Sequence, residues 1–413
     1  MNENLYKLCN GAREASHILE SAKGEKNAVL ARLSELLVKR SDEILAANKL
    51  DIDNARENSL SAAMTERLTL TEERIGAIAR SVLKVAALPD PVGIGTVKTL
   101  PNGLTVTKIS VPLGVIGIIY EARPNVTVDA ASLCIKSGNA VILRGGKEAI
   151  RSNLALERII KDSLGECGLP RECVSVVSDT SRETASELMR MNGYIDVLIP
   201  RGGAGLIKSV VENATVPVIE TGAGNCHIYV DKTADLDMAA KILFNAKTSR
   251  PSVCNAAEKL VVDRCIAEKF LPMAKKLLDT KSVEIRGDGA TLSIIPDAVP
   301  ATEEDYYTEY NDYILAVKTV DGIAEAVDHI NRHNTKHSEA IVTSSMANAE
   351  YFKAHIDAAA VYVNASTRFT DGEEFGLGAE IGISTQKLHA RGPMGLEALT
   401  SYKYLIDGSG QVR

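Results

Sequence analysis

The chain has 413 residues, of which 45% are hydrophobic and 24% charged, with a formal net charge of -7 and a pI near 5.7. This length predicts two domains of ordinary size. The acidic balance argues against a nucleic-acid-binding protein, and no apolar run reaches the length that spans a membrane. The polar N-terminus at residues 1–4 does not have the pattern of a secretory signal. We therefore expect a cytoplasmic enzyme with neither nucleic-acid nor membrane partners.

The first 88 residues have the pattern of helices. Between Leu30 and Leu37, leucines recur on one helical face with charged residues between them. The polar run at residues 54–61 predicts a connection, and Pro89 ends the helical region. A β-hairpin is predicted next.

The predicted hairpin has strands at residues 97–100 and 104–109, joined by the turn Pro101-Asn102-Gly103. It lies between the helical region and the first core strand. We therefore expect it to project from the body of the protein.

Strands and helices alternate from residue 114 onward. The predicted strands of a first region are 115–120, 140–143, 174–177 and 196–199. Those of a second region are 227–230, 259–262, 314–317, 339–342 and 361–363, with helices near 234–248, 265–278 and 321–333. This alternation predicts two α/β domains with parallel sheets, and nucleotides bind such sheets at the carboxyl ends of the strands.

A basic glycine-containing turn follows the second of these strands. Arg144, Gly145, Gly146 and Lys147 stand where a strand end meets the ribose end of a bound nucleotide. Two cations there favour NADP over NAD, because they pair with a 2′-phosphate. Glu148 weakens this interpretation, since an acid instead binds ribose hydroxyls. An ordinary exposed turn is the alternative.

A second glycine-rich turn contains Arg201, Gly202 and Gly203. Backbone N–H groups at such a helix start attract phosphate, so we count these residues as cofactor candidates. The dinucleotide fingerprint GxGxxG is absent after the first core strand. The glycines at residues 376–382 have the wrong spacing and come too late in the chain to replace it.

Cys254 is the candidate nucleophile among seven scattered cysteines that include no CxxC pair. Such usage is typical of reduced thiols rather than of disulfides or a zinc site. Arg250 lies four residues upstream, and a nearby cation favours the reactive thiolate. Arg250 is also suited to hold an anionic substrate group. From these residues alone, a buried cysteine at a helix start remains an open alternative.

Two further groups of ionisable residues have possible chemical roles. Glu220 ends an apolar run beside glycines, which is a usual place for an acid–base residue, although a solvated acid at a strand end is the alternative. His329, His333 and His337 have a spacing that suits metal binding on one helix face. The residues before His337 are poor helix formers, so we expect the helix to end earlier and predict no metal site.

Eight segments, taken together and in order, resemble the aldehyde dehydrogenase superfamily, and most nearly its branch that reduces an acyl phosphate. The segments lie at residues 120–126, 137–146, 219–225, 249–255, 337–343, 362–369, 375–380 and 389–394. The resemblance implies an aldehyde-dehydrogenase-like α/β fold with two Rossmann-type parallel-sheet domains and a small β oligomerisation element.

The resemblance also implies catalytic roles. It places the superfamily's cysteine nucleophile on Cys254, its oxyanion-hole asparagine on Asn125 and its glutamate on Glu220. The tryptophan that precedes this asparagine elsewhere in the superfamily is missing, because Arg123 and Pro124 stand there instead. We expect Glu220 to matter less than in hydrolytic relatives.

Binding roles follow in the same way. The superfamily's ribose-contacting lysine falls on Arg144, and a glutamate that contacts the nicotinamide ribose falls on Glu309. Its glycine-glycine-lysine becomes Gly222-Ala223-Gly224, of which Gly222 is a cofactor candidate. The substrate candidates are Arg123, Ser249, Arg250 and Arg368.

The implied domains are an NADP-binding domain at residues 1–95 and 112–220, and a catalytic domain at 221–395. A hairpin and tail at 96–111 and 396–413 would join copies of the chain in a dimer or tetramer. The implied activity is the NADPH-dependent reduction of L-glutamate 5-phosphate to the 5-semialdehyde, in proline biosynthesis, with transient association with glutamate 5-kinase left open. A hydrolytic or CoA-acylating semialdehyde dehydrogenase is the alternative.

Overall fold

The computed structural model describes residues 2–413, apart from the side chains of Ala62 and Ala63. These residues form two compact units. The first comprises the chain up to Thr221 with Gly376–Gly382 and Met394–Arg413, and the second comprises Gly222–Phe375 and Ile383–Pro393. The hairpin and the C-terminal tail thus belong to the first of the two compact units. The division into three parts that the resemblance implies stays a prediction. Every helix within residues 2–413 is too short or too polar to cross a membrane.

Helices and strands alternate through most of both units. The α-helices are α1 (Glu3–Ser21), α2 (Gly24–Lys39), α3 (Ser41–Glu57), α4 (Ala62–Leu68), α5 (Glu72–Ala87), α6 (Asn125–Lys136), α7 (Ile150–Glu166), α8 (Arg182–Leu188), α9 (Ala204–Asn213), α10 (Leu236–Thr248), α11 (Arg264–Leu278), α12 (Gly289–Ile294), α13 (Glu303–Tyr307), α14 (Ile323–His333) and α15 (Met346–His355). The strands are β1 (Gly95–Thr99), β2 (Thr105–Pro112), β3 (Val115–Tyr120), β4 (Ala140–Arg144), β5 (Val174–Val176), β6 (Val197–Arg201), β7 (Cys226–Val230), β8 (Ala257–Asp263), β9 (Glu284–Gly287), β10 (Val299–Pro300), β11 (Ile314–Val320), β12 (Ser338–Val342), β13 (Ala360–Val363), β14 (Ile383–Ser384), β15 (Gly392–Pro393) and β16 (Thr400–Asp407).

The first unit is built on a four-stranded parallel sheet in the order β5-β4-β3-β6. All six residues of β3 are buried, as expected for a strand covered on both faces. Leu5 and Cys9 of α1 pack against this sheet in one apolar cluster with Ile142 and Leu198. The four predicted strands of this region are confirmed.

A three-stranded antiparallel sheet extends the first unit, in the order β1-β2-β16. The predicted hairpin is confirmed as β1 and β2, which pair from Gly95 with Ile109 to Thr99 with Thr105. The C-terminal strand β16 pairs with β2 along its whole length. The sequence pattern assigned no strand to this tail.

The second unit is built on a seven-stranded parallel sheet in the order β10-β9-β11-β8-β7-β12-β13. The five predicted strands are confirmed, and β9 and β10 were missed. β9 alternates charged residues with Ile285 and Gly287, and β10 has only two residues, so neither has a clear strand pattern.

Two helix boundaries differ from the sequence pattern. Helix α3 continues to Glu57, into the predicted connection. The sequence after the strand 140–143 also predicts a helix that begins near Lys147, and this segment instead starts as a single 3₁₀ turn at Lys147–Ala149 before α7. The predicted end of a helix before His337 is confirmed, because α14 ends at His333.

Candidate active site

Cys254 lies in the turn between α10 and β8 and is partly exposed. All seven cysteines are free, and Cys9, Cys134, Cys173 and Cys226 are buried. Burial raises the pKa of Cys9 to about 12 and holds the pKa of Cys226 well above its usual value. Such thiols stay protonated and are poor nucleophiles at neutral pH.

Two cysteines besides Cys254 have some exposure to solvent. Burial and the charge of Glu166 raise the pKa of Cys167. The hydrogen bond to Asp263 raises the pKa of the exposed Cys265. Cys254 is therefore the accessible thiol whose surroundings are cationic, as described below.

Backbone contacts hold the turn of Cys254 against the start of β7. The Cys226 thiol donates a hydrogen bond to the carbonyl oxygen of Cys254 at 3.1 Å. A Cβ atom on Gly224 would overlap the backbone of Cys254. Only glycine therefore allows the two segments to approach this closely.

Two guanidinium groups, those of Arg250 and Arg368, lie beside this turn. Arg368 Nε donates to Ser249 Oγ at 3.0 Å. Burial, and then the positive charge of Arg250, lower the pKa of Arg368, which also interacts electrostatically with Cys254. Within residues 2–413 neither guanidinium has a carboxylate at ion-pair distance. The pair is suited to bind an anion with more than one negative charge.

Asn255, the residue after the candidate nucleophile, holds the segment that carries Arg368. Its Nδ2 donates to the carbonyl oxygens of Arg368 at 3.3 Å and Thr370 at 2.9 Å. Its own carbonyl oxygen accepts from Thr367 Oγ1 at 2.7 Å. This role was not predicted from the sequence, because nothing in a polar residue beside a cysteine indicates a distant partner.

Glu309 lies after α13, in the segment that leads to β11. Its Oε1 accepts a hydrogen bond from the backbone N–H of Gly224 at 2.7 Å. The structure thus places Glu309, a predicted cofactor residue, beside the glycine that contacts Cys254.

In the first unit, Asn125 is the first residue of α6 and follows the carboxyl end of β3. Its Nδ2 donates to Asp129 Oδ2 at 3.0 Å, one helical turn later. Burial raises the pKa of Asp129 to about 6, against the opposing effects of the Asn125 hydrogen bond and the Arg201 charge. Asp129 therefore orients the Asn125 amide. Its position at i+4 was the available signal for a role that the sequence analysis did not assign.

Arg144 lies at the carboxyl end of β4, as predicted for a cofactor-binding residue. Its Nη2 donates to the carbonyl oxygens of Thr180 at 2.7 Å and Ser181 at 3.3 Å, while its buried Nε has no hydrogen-bond partner among the described residues. Burial lowers its pKa. Lys147 is exposed beside it.

Two glycines in this turn are sterically restricted. A Cβ atom on Gly145 would overlap the Asn153 side chain, and one on Gly146 would lie 2.7 Å from Glu148 Oε2. Glu148 thus lies within the turn and competes with an anion for these cations.

The turn at Arg201, Gly202 and Gly203 holds a carboxylate already. Glu121 Oε1 accepts from the N–H of Gly203 at 2.9 Å, and Arg201 faces Asp129 electrostatically. The phosphate interpretation of this turn stays a prediction, and it requires Glu121 to move.

The remaining candidates from the sequence are Arg123, Glu220 and Gly222. Arg123 is exposed between β3 and α6, and Glu220 is partly buried shortly after the bridge between Val218 and Leu198. A Cβ atom on Gly222 would overlap Thr385, so the chain needs glycine there. Their predicted functions stay predictions.

The histidines form a packed aromatic group rather than an open ligand set. The rings of His329 and His333 lie 4.2 Å apart between centroids, and His333 Nε2 lies 2.9 Å from Glu303 Oε1. His337 is buried after the helix ends, with its Nδ1 2.8 Å from Ser338 Oγ. Across residues 2–413, no three or more His, Cys, Asp or Glu side chains are arranged to hold a metal ion.

Comparisons with known proteins give the family of this chain. The aldehyde dehydrogenase family matches residues 2–292. A gamma-glutamyl phosphate reductase of Clostridium perfringens strain 13 is 60% identical over 415 residues, covering 100% of both chains. The crystal structure of gamma-glutamyl phosphate reductase from Thermotoga maritima has a TM-score of 0.97 and 48% identity and covers 99% of each chain.

A more distant structural neighbour shows the fold alone. It is an engineered glycolyl-CoA reductase with bound NADP+, at 17% identity and a TM-score of 0.70, with 97% of this chain and 96% of that chain covered.

Proposed function

We infer the function of this chain from its family: it belongs to the aldehyde dehydrogenase family, and we propose that it reduces L-glutamate 5-phosphate to L-glutamate 5-semialdehyde in proline biosynthesis. The observation that carries the proposal is the position of Cys254 beside the Arg250 and Arg368 guanidinium groups. An acyl phosphate has both an electrophilic carbon for the thiol and a dianion for the cations. The 60% identity to named reductases supports the same substrate.

The Cys254 thiolate attacks the acyl carbon, and phosphate leaves as the thioester forms on Cys254. Arg250 and Arg368 stabilise the departing phosphate by charge-assisted hydrogen bonds. The Asn125 amide, oriented by Asp129, and the Cys254 N–H donate to the oxyanion. No water takes part, so Glu220 is not required as a base for deacylation.

A nicotinamide cofactor fits the first unit at the carboxyl end of β4. The unpartnered Arg144 Nε and the exposed Lys147 are suited to hold a 2′-phosphate, which favours NADPH. Glu309 is assigned to the nicotinamide ribose. The cofactor, when bound, supplies the hydride that reduces the thioester to the aldehyde.

The test is the reverse reaction, the oxidation of glutamate 5-semialdehyde with added phosphate and with NADP+ or NAD+. Wild type should require phosphate, whereas a hydrolytic enzyme needs none and a CoA-acylating enzyme needs CoA. Cys254→Ser should lose activity by roughly a thousandfold or more. Cys265→Ser, at an exposed cysteine outside the site, is the control and should leave the rate unchanged. Undiminished activity in Cys254→Ser overturns the mechanism.

Self-association is the proposed role of the sheet β1-β2-β16. Tyr404 is 56% exposed and Ile406 is 61% exposed on β16, so the sheet leaves apolar side chains uncovered. A second copy of the chain is the proposed occupant, in a dimer or tetramer. In sedimentation velocity, the double variant Tyr404→Lys and Ile406→Lys should sediment as a smaller species than wild type, and an unchanged mass contradicts the role.

A transient complex with glutamate 5-kinase is also part of the proposal, because direct transfer protects a labile acyl phosphate from water.

A further inference from the structure

Three ionisable side chains are buried directly behind the nucleophile. Glu258 and Lys259 lie in β8, shortly after Cys254 in the chain, and each is 1% exposed. Lys247 of α10 is 0% exposed. Burial lowers the pKa of Lys259 to about 7. Removing three such groups from water is costly unless each has hydrogen-bonding partners. The partners they have therefore indicate what the cluster does.

The hydrogen bonds of this cluster lead to one segment, residues 308–311. Lys247 Nζ contacts Glu258 Oε2 at 2.8 Å, and the other Glu258 oxygen accepts from the N–H of Asn311 at 3.1 Å. Lys259 Nζ donates to the carbonyl oxygen of Thr308 at 2.7 Å. It also lies 4.4 Å from the centroid of the Tyr310 ring. The segment is thus held at both ends by charges on the strand that follows Cys254.

The backbone of this segment is strained at one of these anchors. Asn311 has a φ of 57°, in the left-handed region that non-glycine residues rarely adopt. The Glu258 carboxylate accepts from the N–H of this same residue. The charge-assisted bond stabilises a conformation that the chain would otherwise leave.

Glu309 lies between the two anchors, and its carboxylate accepts from Gly224 N–H at 2.7 Å. Gly224 in turn packs against the backbone of Cys254. Glu309 is therefore connected to the Cys254 turn in two ways. The first connection runs through Glu258 and Lys259 of β8, which bind the segment 308–311. The second runs through Gly224. A change in the charges should move Glu309 while leaving the Cys254 turn joined to β7.

We propose that Lys247, Glu258 and Lys259 are positioning residues that fix the Glu309 carboxylate for binding the ribose of the nicotinamide cofactor. The inference rests on the proposed function only in assigning the ribose to Glu309. None of the three side chains touches the substrate. They affect the reaction by fixing the position of the segment 308–311, which contains Glu309.

The test compares NADPH affinity with the reactivity of the thiol. The variants are Glu258→Gln, Tyr310→Leu and Glu309→Gln, with Lys26→Met as control. Lys26 is equally buried and contacts Asp90 Oδ2 at 2.6 Å in the first unit. The measurements are the Kd of NADPH by fluorescence titration, KM and kcat, and the rate of Cys254 alkylation by iodoacetamide without cofactor. Tyr310→Leu keeps all three buried ionisable side chains, so it remains informative if Glu258→Gln does not fold.

All three site variants should raise the Kd and KM of NADPH about tenfold, with kcat and the alkylation rate changed by less than about threefold. The double variant of Glu258→Gln and Glu309→Gln should bind NADPH no more weakly than Glu309→Gln alone, because both changes remove the same interaction. Lys26→Met should lower the melting temperature without changing the Kd.

The outcomes separate the inference from the proposed function. If Glu309→Gln weakens NADPH binding but Glu258→Gln and Tyr310→Leu do not, the positioning role is wrong. Additive losses in the double variant also overturn it. If Glu309→Gln itself leaves the Kd unchanged, the ribose assignment fails, and the inference fails with it. A wild type that binds NADPH but does not act on the semialdehyde contradicts only the proposed reaction.

Discussion

The two parallel sheets of this protein differ in where most of their buried ionisable residues lie along the strands. In the first unit, β3 to β6 contain only two charged residues, Arg144 and Arg201, and each is the last residue of its strand. In the second unit, the neighbouring strands β8, β7 and β12 have buried ionisable residues near their first positions. These are Cys226, His227, Glu258, Lys259 and Glu339, and the buried Asp263 at the carboxyl end of β8 is an exception.

The first sheet is therefore suited to nucleotide binding, and the second to reaction with a substrate. The carboxyl ends of parallel strands are the usual place for a nucleotide, and the first sheet has that arrangement. In the second unit the candidate nucleophile, Cys254, lies just before the amino end of β8, and buried polar groups follow it in that strand. Burial lowers the pKa of His227 and raises the pKa of Glu339, and His227 Nδ1 lies 3.0 Å from Glu339 Oε2.

The largest expected effect is at the amino end of the second sheet. Gly224→Ala places a Cβ atom where the backbone of Cys254 lies, so the turn must shift. We expect a loss of roughly a hundredfold or more in both kcat and the rate of Cys254 alkylation, since a displacement near 1 Å at a reacting group has this cost. Gly289→Ala, where a Cβ atom meets nothing, is the matched control. Full activity in Gly224→Ala would mean that this close approach is dispensable.

The two cations beside Cys254, Arg250 and Arg368, should show the next largest effect. Arg368→Ala removes one of two cations, so the KM for phosphate in the oxidative reaction should rise roughly 10- to 100-fold, the range for a charge-assisted hydrogen bond. Steady-state kinetics at varied phosphate measures it. The control is Arg264→Ala, whose exposed guanidinium pairs with Asp321. An unchanged KM for phosphate removes Arg368 from the substrate site.

A smaller effect is expected beside the first sheet. Asp129→Asn weakens the acceptor that orients Asn125, and kcat should fall about tenfold. The wild-type kcat should also decline below about pH 6, as the Asp129 carboxylate is protonated, and this limb should be missing in the variant. A pH–rate profile of both proteins measures it, and an identical acid limb in the variant contradicts the assignment.

Asp129→Asn, which should lower kcat, should increase the stability of the fold. The pKa of Asp129 is raised from 3.8 to about 6 by burial, so the folded state binds more protons than the unfolded state between these values. The free energy of unfolding therefore falls as the pH rises through this window. The free energy of unfolding of Asp129→Asn should exceed that of wild type by on the order of 1 kcal/mol above pH 6, and the two should be equal below pH 4. Urea unfolding across this range measures it, with the exposed Asp328→Asn as control.

An effect on cofactor choice alone is expected at the carboxyl end of β4. Arg144→Ala removes one of two cations assigned to a 2′-phosphate, while Lys147 remains. The ratio of kcat/KM for NADPH over NADH should fall about tenfold. If both cofactors lose equally, Arg144 supports the fold through its bonds to Thr180 and Ser181 rather than selecting the cofactor.

Much of the fold follows from local pattern. Apolar runs bounded by helical segments predicted the nine core strands confirmed here, since burial on both faces requires continuous hydrophobic sequence. The strands β9, β10 and β16 were missed because two are polar or very short and the third pairs with a hairpin almost 300 residues earlier. The candidate site was predictable only in part. Cys254, Asn125 and Arg250 have neighbours in sequence that indicate a role, whereas Asn255 and Asp129 act through partners that the structure had to show.

The sequence by itself determined the two α/β regions, the resemblance to one superfamily and the choice of Cys254 among seven cysteines. Strand periodicity and short motifs depend on neighbouring residues, so they can be read along the chain. Only the tertiary structure decided that Arg368 lies beside Cys254, that Glu121 already occupies the turn of Gly203, and that Glu258 and Lys259 hold the segment of Glu309. These contacts join residues 49 to 114 positions apart. Hydrogen bonds over such separations follow from the packing of strands and leave no periodic trace in the sequence.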